Sequence, residues 1–288
     1  MSEAPAADAA EEFIEEFDSD VWMDEPSGPS LITKMLAEVA GTFILVLLGV
    51  GTALTLGLVS SGALVIQGQT QGNVFGAPTS VVGFAFAVAV IISALAFGMT
   101  SGAHLNPGVT VGLWLAGRFP GRDVVPYILA QVIGGLFAGA ALFAVVASHP
   151  QISNARTYMS SASIGYGEHS PGGFGLGAGL IIEAALTGLL VLTVLAATSP
   201  KAPAAVAPFA IGLALAALVV LAIPFTNAGL NPARATATAA FSDTWAITQL
   251  WVFWLAPLIG AAIVGLLYRA FAPVEEIEIV EVIEVIED

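Results

Sequence analysis

Six stretches of this chain are apolar and long enough to cross the ~30 Å hydrocarbon core of a bilayer: residues 31–59, 81–99, 125–147, 176–197, 204–223 and 246–271. Without water, each spanning segment must pair its own backbone N–H and C=O groups, and that requires helix. The expected fold class is an all-α membrane protein. Two further apolar segments, 107–116 and 232–240, are too short to cross, at ~15 Å each for a rise of 1.5 Å per residue. They read as re-entrant half-helices. Composition agrees: 57% of the 288 residues are hydrophobic and 10% charged, with a mean hydropathy of +0.90.

The formal net charge of −15 belongs to the two ends. Ten acids lie in residues 1–25 and seven in 275–288, leaving five between them against all seven bases. The chain therefore divides into an acidic, solvated N-terminal tail (1–30), a membrane body (31–271) and an acidic C-terminal tail (272–288). The N-terminal tail lacks the basic start of a secretory signal. Phe13, Phe17 and Val21 in it recur at helical spacing, although a disordered arm is the plainer reading. Acid-rich tails also fit a protein working in high salt. A body this weakly basic excludes nucleic acid as a partner. With no cysteine and three scattered histidines, His104, His149 and His169, no metal or cofactor site is expected. No Ser/His pair or paired Asp lies within the spans, so an enzyme is not expected either. If the N-terminus is inside and six spans alternate, Lys34, Arg118, Arg122, Lys201 and Arg269 are cytoplasmic and Arg156 is external. That satisfies the positive-inside rule with both termini cytoplasmic.

The chain matches itself. AEVAGTFILVL at 37–47 resembles IEAALTGLLVL at 182–192, an offset of 145 that pairs Glu38 with Glu183. HLNPGVT at 104–110 resembles GLNPARA at 229–235, offset 125, and AQVIGG at 130–135 resembles APLIGA at 256–261, offset 126. Three matches in one order define a duplicated unit, about 31–147 and 176–271. Each unit holds three spans and one half-helix, and an odd number of crossings inverts the second copy. The half-helices then enter from opposite faces, and their N-termini meet near the midplane.

Pro107 and Pro232 suit the first helical position, where the missing N–H costs nothing. Asn106 and Asn231 become N-caps, each side-chain oxygen accepting from its own half-helix while the NH2 faces a lumen. Two such donors side by side suit the oxygen of one water molecule. Each half-helix contributes about +0.5 charge at its N-terminus, so two positive ends oppose cations and protons there. Gly102, Ala103, His104 and Leu105, and Asn227, Ala228, Gly229 and Leu230, read as extended runs presenting carbonyls to the pore, since irregular backbone at this depth must line a cavity or be buried. Arg234, one turn into the second half-helix, is functional by default, because an unpaired charge there costs ~2.5–3.5 kcal/mol on insertion scales. Glu38 and Glu183 read as a proton relay or, better, as a symmetric pair tethering loop N–H groups. Gly135 and Gly139 suit close helix packing.

SGAHLNPGVT, TNAGLNPARA and the paired AE…GTF and IEAALTG helices resemble the aquaporin, or major intrinsic protein, family. GRFP at 117–120, GYGEHSPGG at 165–173 and QLWVFW at 249–254 resemble its bacterial water-channel branch. The resemblance covers about 34–269 and departs at Gly108, where the family has alanine; the lost methyl is expected to loosen the first half-helix start. It implies an aquaporin-like fold of six transmembrane helices and two half-helices, with pore motifs Asn106-Pro107-Gly108 and Asn231-Pro232-Ala233. Glu38 and Glu183 would support the pore loops. Phe86, Val219, Ala228 and Arg234 would form the constriction, wider and more apolar than in the bacterial branch. It further implies a passive water channel in the plasma membrane, assembled as a homotetramer with one pore per subunit. A wider filter adds glycerol, ammonia, hydrogen sulfide or carbon dioxide as further permeants. The alternatives are a glycerol facilitator and, more distantly, a secondary transporter, which also uses inverted repeats. Ala235, where facilitators resemble one another in carrying Asp, favours water.

Overall fold

The computed structural model describes residues 28–60 and 77–271. The amphipathic reading of Phe13, Phe17 and Val21, and both tail readings beyond 28–271, lie outside them. Among the described residues the secondary structure is all helix, without strands, joined by turns and loops: α1 Leu31–Ser60, α2 Ala77–Ser101, α3 Pro107–Leu115, α4 Gly121–Ala147, α5 Ala155–Ser160, α6 Leu176–Ala197, α7 Ala207–Thr226, α8 Pro232–Ala239, α9 Thr244–Gln249 and α10 Val252–Phe271. Six stretches of helix are long and apolar enough to span a membrane. The multi-pass reading of the sequence therefore stands.

Two boundaries differ instructively. The third span starts at Gly121, a turn before the expected Val125, because the exposed Arg122 and the first-turn acid Asp123, 3.8 Å apart, extend the helix beyond the apolar run. The sixth is broken at Leu250–Trp251, where Leu250 N–H turns back on Ile247 O (3.2 Å) before α10 begins.

Packing follows the duplication. α1 lies against α2 and α4 as α6 lies against α7 and α10, with α2 on α7 across the repeat axis. Each half-helix beds on the last span of the other repeat, α3 on α10 and α8 on α4. Glycines permit the closest approaches: a Cβ at Gly134 would strike the Val39 carbonyl, and one at Gly260 the Ala184 carbonyl, the corresponding pair. Gly135 and Gly139 face the backbone of α8, so close packing serves the half-helix. Large apolar side chains such as Phe84, Phe137, Ile181 and Leu213 point outward, whereas Thr42, Ser93, Gln131, Thr187 and Thr238 are buried. That is the distribution of a body solvated by lipid.

Candidate functional site

Both half-helices begin as their sequences dictate. Asn106 accepts from Gly108 N (2.8 Å), and Asn231 from Ala233 N (2.9 Å) and Arg234 N (3.2 Å), with proline at the helix start in each. The two starts meet through their caps. Asn106 Nδ2 donates to Leu230 O and Asn231 Nδ2 to Leu105 O, both at 2.8 Å. One N–H of each amide therefore joins the loops, which corrects the expectation that both donors face the lumen; a second N–H remains on each.

The runs 102–105 and 227–230 are not extended. Gly102, Ala103, Leu105, Asn227, Ala228 and Leu230 all have φ between +48° and +86°, a conformation disfavoured by ~1–2 kcal/mol for residues bearing a Cβ. The reason lies beneath them. Turns of this kind aim successive N–H groups into one concavity suited to an anion. Glu38 fills the first, accepting from His104 N (2.9 Å) and Leu105 N (2.7 Å); Glu183 fills the second, accepting from Gly229 N (2.9 Å) and Leu230 N (2.6 Å). Both carboxylates are fully buried. This is the tether geometry expected of the pair.

The carbonyls divide differently from the expectation. Leu105 and Leu230 spend theirs on the asparagines, and the Asn227 carbonyl accepts from Arg234 Nη2 (3.2 Å). Each carbonyl keeps a second lone pair, and Leu105 and Leu230 line the cavity, so the correction to the set of pore carbonyls is Asn227, which does not. Among the described residues, no protein donor reaches the carbonyls of Gly102, Ala103, His104, Ala228 or Gly229, and all five residues line the cavity.

That cavity, ≈ 600 Å³, extends from Met99 and Thr198 at the Arg118 end past Asn106 and Asn231 to Arg234. Phe86, Val219, Ala228 and Arg234 all line it and are each no more than 4% exposed. The four residues named for the constriction therefore line the same cavity as Asn106 and Asn231. Arg234 Nε and Nη1 are buried without a hydrogen-bond partner.

Several supports went unread in the sequence. Ser101 Oγ donates to Glu38 (2.7 Å) and Thr226 Oγ1 to Glu183 (2.5 Å). These hydroxyls sit 125 residues apart, the offset of the Asn-Pro turns, so the repeat carried the signal. Gln131 Nε2 reaches Glu38 (2.8 Å) and Thr110 (2.9 Å); its counterpart is Pro257, so no repeat could reveal it. His104 bonds Thr110 through Nδ1 (3.1 Å) and packs on Phe119 and Tyr127. Gly108 is not loose: a Cβ there would sit 2.9 Å from the Thr187 methyl, which occupies the space. Among the described residues no three His, Cys, Asp or Glu side chains converge on a metal position.

The family model described as major intrinsic protein matches residues 25–268. The chain belongs to the major intrinsic protein family. It is 41% identical over 239 residues to Aquaporin Z of Photorhabdus laumondii subsp. laumondii, covering 83% of this chain and 97% of that protein. It is 40% identical over 240 residues to Aquaporin Z of Rhodopseudomonas palustris, covering 83% and 93%. Among solved structures, the aquaglyceroporin from Plasmodium falciparum superposes with a TM-score of 0.64 at 20% identity, covering 84% of this chain and 95% of that one. At that identity the likeness is one of fold, and it agrees with the major intrinsic protein architecture reached here from the packing.

Proposed function

We propose that this chain is a passive water channel that excludes protons, with Asn106 and Asn231 as its central donors and Phe86, Val219, Ala228 and Arg234 as its filter. One observation carries the reading: two half-helix N-termini face each other across Leu105 and Leu230, and their asparagines line a continuous cavity. Each end brings about half a positive charge to the same spot, so a proton or cation meets a barrier while neutral water does not. A free amide N–H on each asparagine then orients a passing oxygen, and the unpaired carbonyls accept its hydrogens. The names of the Aquaporin Z relatives support water as the permeant. The body at 31–271 would carry conduction without enzymatic chemistry, as a homotetramer in the plasma membrane with both termini cytoplasmic.

Stopped-flow light scattering on proteoliposomes tests this. Vesicles should shrink faster than empty controls under an impermeant osmolyte, with no added proton leak. A proton conductance rising in step with water flux would overturn it. A second reading, passage of small neutral solutes such as glycerol or of apolar gases, is favoured by Val219 and Ala228, which leave two sides of the constriction small and apolar.

A further inference from the structure

The Arg234 guanidinium carries five N–H donors, yet among the described residues a single protein acceptor meets it, the Asn227 carbonyl. An arginine held by one hydrogen bond pivots about it, so the placement of that carbonyl decides where the head group sits. Asn227 ends α7 in the left-handed conformation, φ 70° and ψ 26°, with its N–H on Ile223 O (2.9 Å). Glycine would satisfy that backbone equally well. What asparagine adds is its amide, which donates to both Ser161 O (3.0 Å) and Ser163 O (2.9 Å). The segment so gripped is itself anchored. Ser163 and Ser242 hydroxyls meet at 2.6 Å, and Gly165 N–H reaches Thr226 O (3.1 Å).

We propose that Asn227 is the positioning residue of the filter. Its amide clamps the 161–163 segment, the clamp fixes its carbonyl, and the carbonyl fixes Arg234 so that Nε and Nη1 stay unpaired for a permeant oxygen. Because Val219 and Ala228 are small and apolar, Arg234 is the filter's polar side chain and, with Phe86, sets its width. A released guanidinium would therefore change which solutes pass more than how fast water passes. This inference rests on the channel reading above.

The test compares wild type, Asn227→Gly and Asn227→Gln in proteoliposomes, measuring water and glycerol permeability in parallel. Solid-state NMR of protein labelled with 15N-arginine reports the Arg234 side chain directly, assigned by its loss in Arg234→Val. Asn227→Gly keeps the backbone conformation and loses both donors. It should raise the glycerol-to-water ratio roughly threefold, leave water flux within about twofold, and broaden the Arg234 signal. Asn227→Gln, whose amide is displaced by one methylene, should fall between the two, and it serves alone if the glycine variant does not fold. An unchanged ratio with an unchanged Arg234 signal in a folded variant overturns the proposal. Absent water flux in wild type would overturn the channel reading instead, and the NMR comparison would still decide whether the clamp exists.

Discussion

Two side chains of the proposed filter matter by what they lack. Val219 and Ala228 line, with Phe86, Arg234 and others, the cavity that holds the Asn-Pro turns, and as proposed filter residues they would leave hydrogen bonding there to the guanidinium and the loop carbonyls. Val219→His should narrow the space and add a polar partner, lowering glycerol permeability relative to water; parallel flux measurements on both proteins check this, and an unchanged ratio would place Val219 outside the constriction. Arg234→Val should relax ion exclusion, which appears as conductance across a planar bilayer. Gly108 and Thr187 form another coupled pair. A methyl added at 108 meets Thr187 Cγ2 at 2.9 Å, and overpacking of this kind costs ~1–3 kcal/mol. Gly108→Ala should accordingly lower the unfolding midpoint in detergent, and Thr187→Ser in the same chain, which removes that methyl, should restore it. A non-additive recovery would demonstrate the coupling.

The half-helix with its preceding turn is the unit on which the site depends. Its start was legible because Asn-Pro after an apolar run is a local signal, and its length because polar residues follow at Arg118 and at Ser242-Asp243. The turn itself was not, since its left-handed residues are explained by a carboxylate 46 to 67 residues earlier in the chain. Nor were the crossed asparagine bonds, which join groups 124 and 126 residues apart. Local rules predict open amides and extended carbonyls, and tertiary contact reassigns one hydrogen of each amide. Glu183→Gln tests the carboxylate's part. Oε1 serves Gly229 N and Thr226 Oγ1 while Oε2 serves Leu230 N. Whichever way the new amide turns, its NH2 faces one of those backbone donors and orphans it. Hydrogen bonds to charged groups contribute ~1.5–3 kcal/mol, so the variant should unfold at lower temperature and lose at least half its water flux per folded channel. A relay role predicts changed proton leak with an intact fold, which is the opposite pattern.

At the scale of the whole molecule, the inverted duplication was readable from three short matches, and the structure adds why the copies cannot stand alone: α3 beds on α10 and α8 on α4, so each repeat completes the other's half-helix. On the proposed function, conduction should need that pair and no more. The tethering acids, the crossed asparagines and the proposed filter all fall between Glu38 and Arg234, and the two Aquaporin Z relatives align over 97% and 93% of their own lengths with only 83% of this chain. What lies beyond the match is chiefly the acidic ends, whose charge suits water. Deleting residues 1–25, or 275–288, should therefore leave water permeability per folded channel unchanged, measured by stopped flow and normalised to reconstituted protein. Yield or salt tolerance is the property expected to fall, because seventeen of the 22 acids lie in those segments and a strong net charge supports solubility rather than fold. Abolished flux with an intact melting profile would instead assign a tail to gating. The same preparations carry an internal control for specificity: with no cysteine to form a thiolate, mercuric chloride should leave both the full chain and the truncated ones conducting, and strong inhibition reversed by a thiol would contradict that expectation.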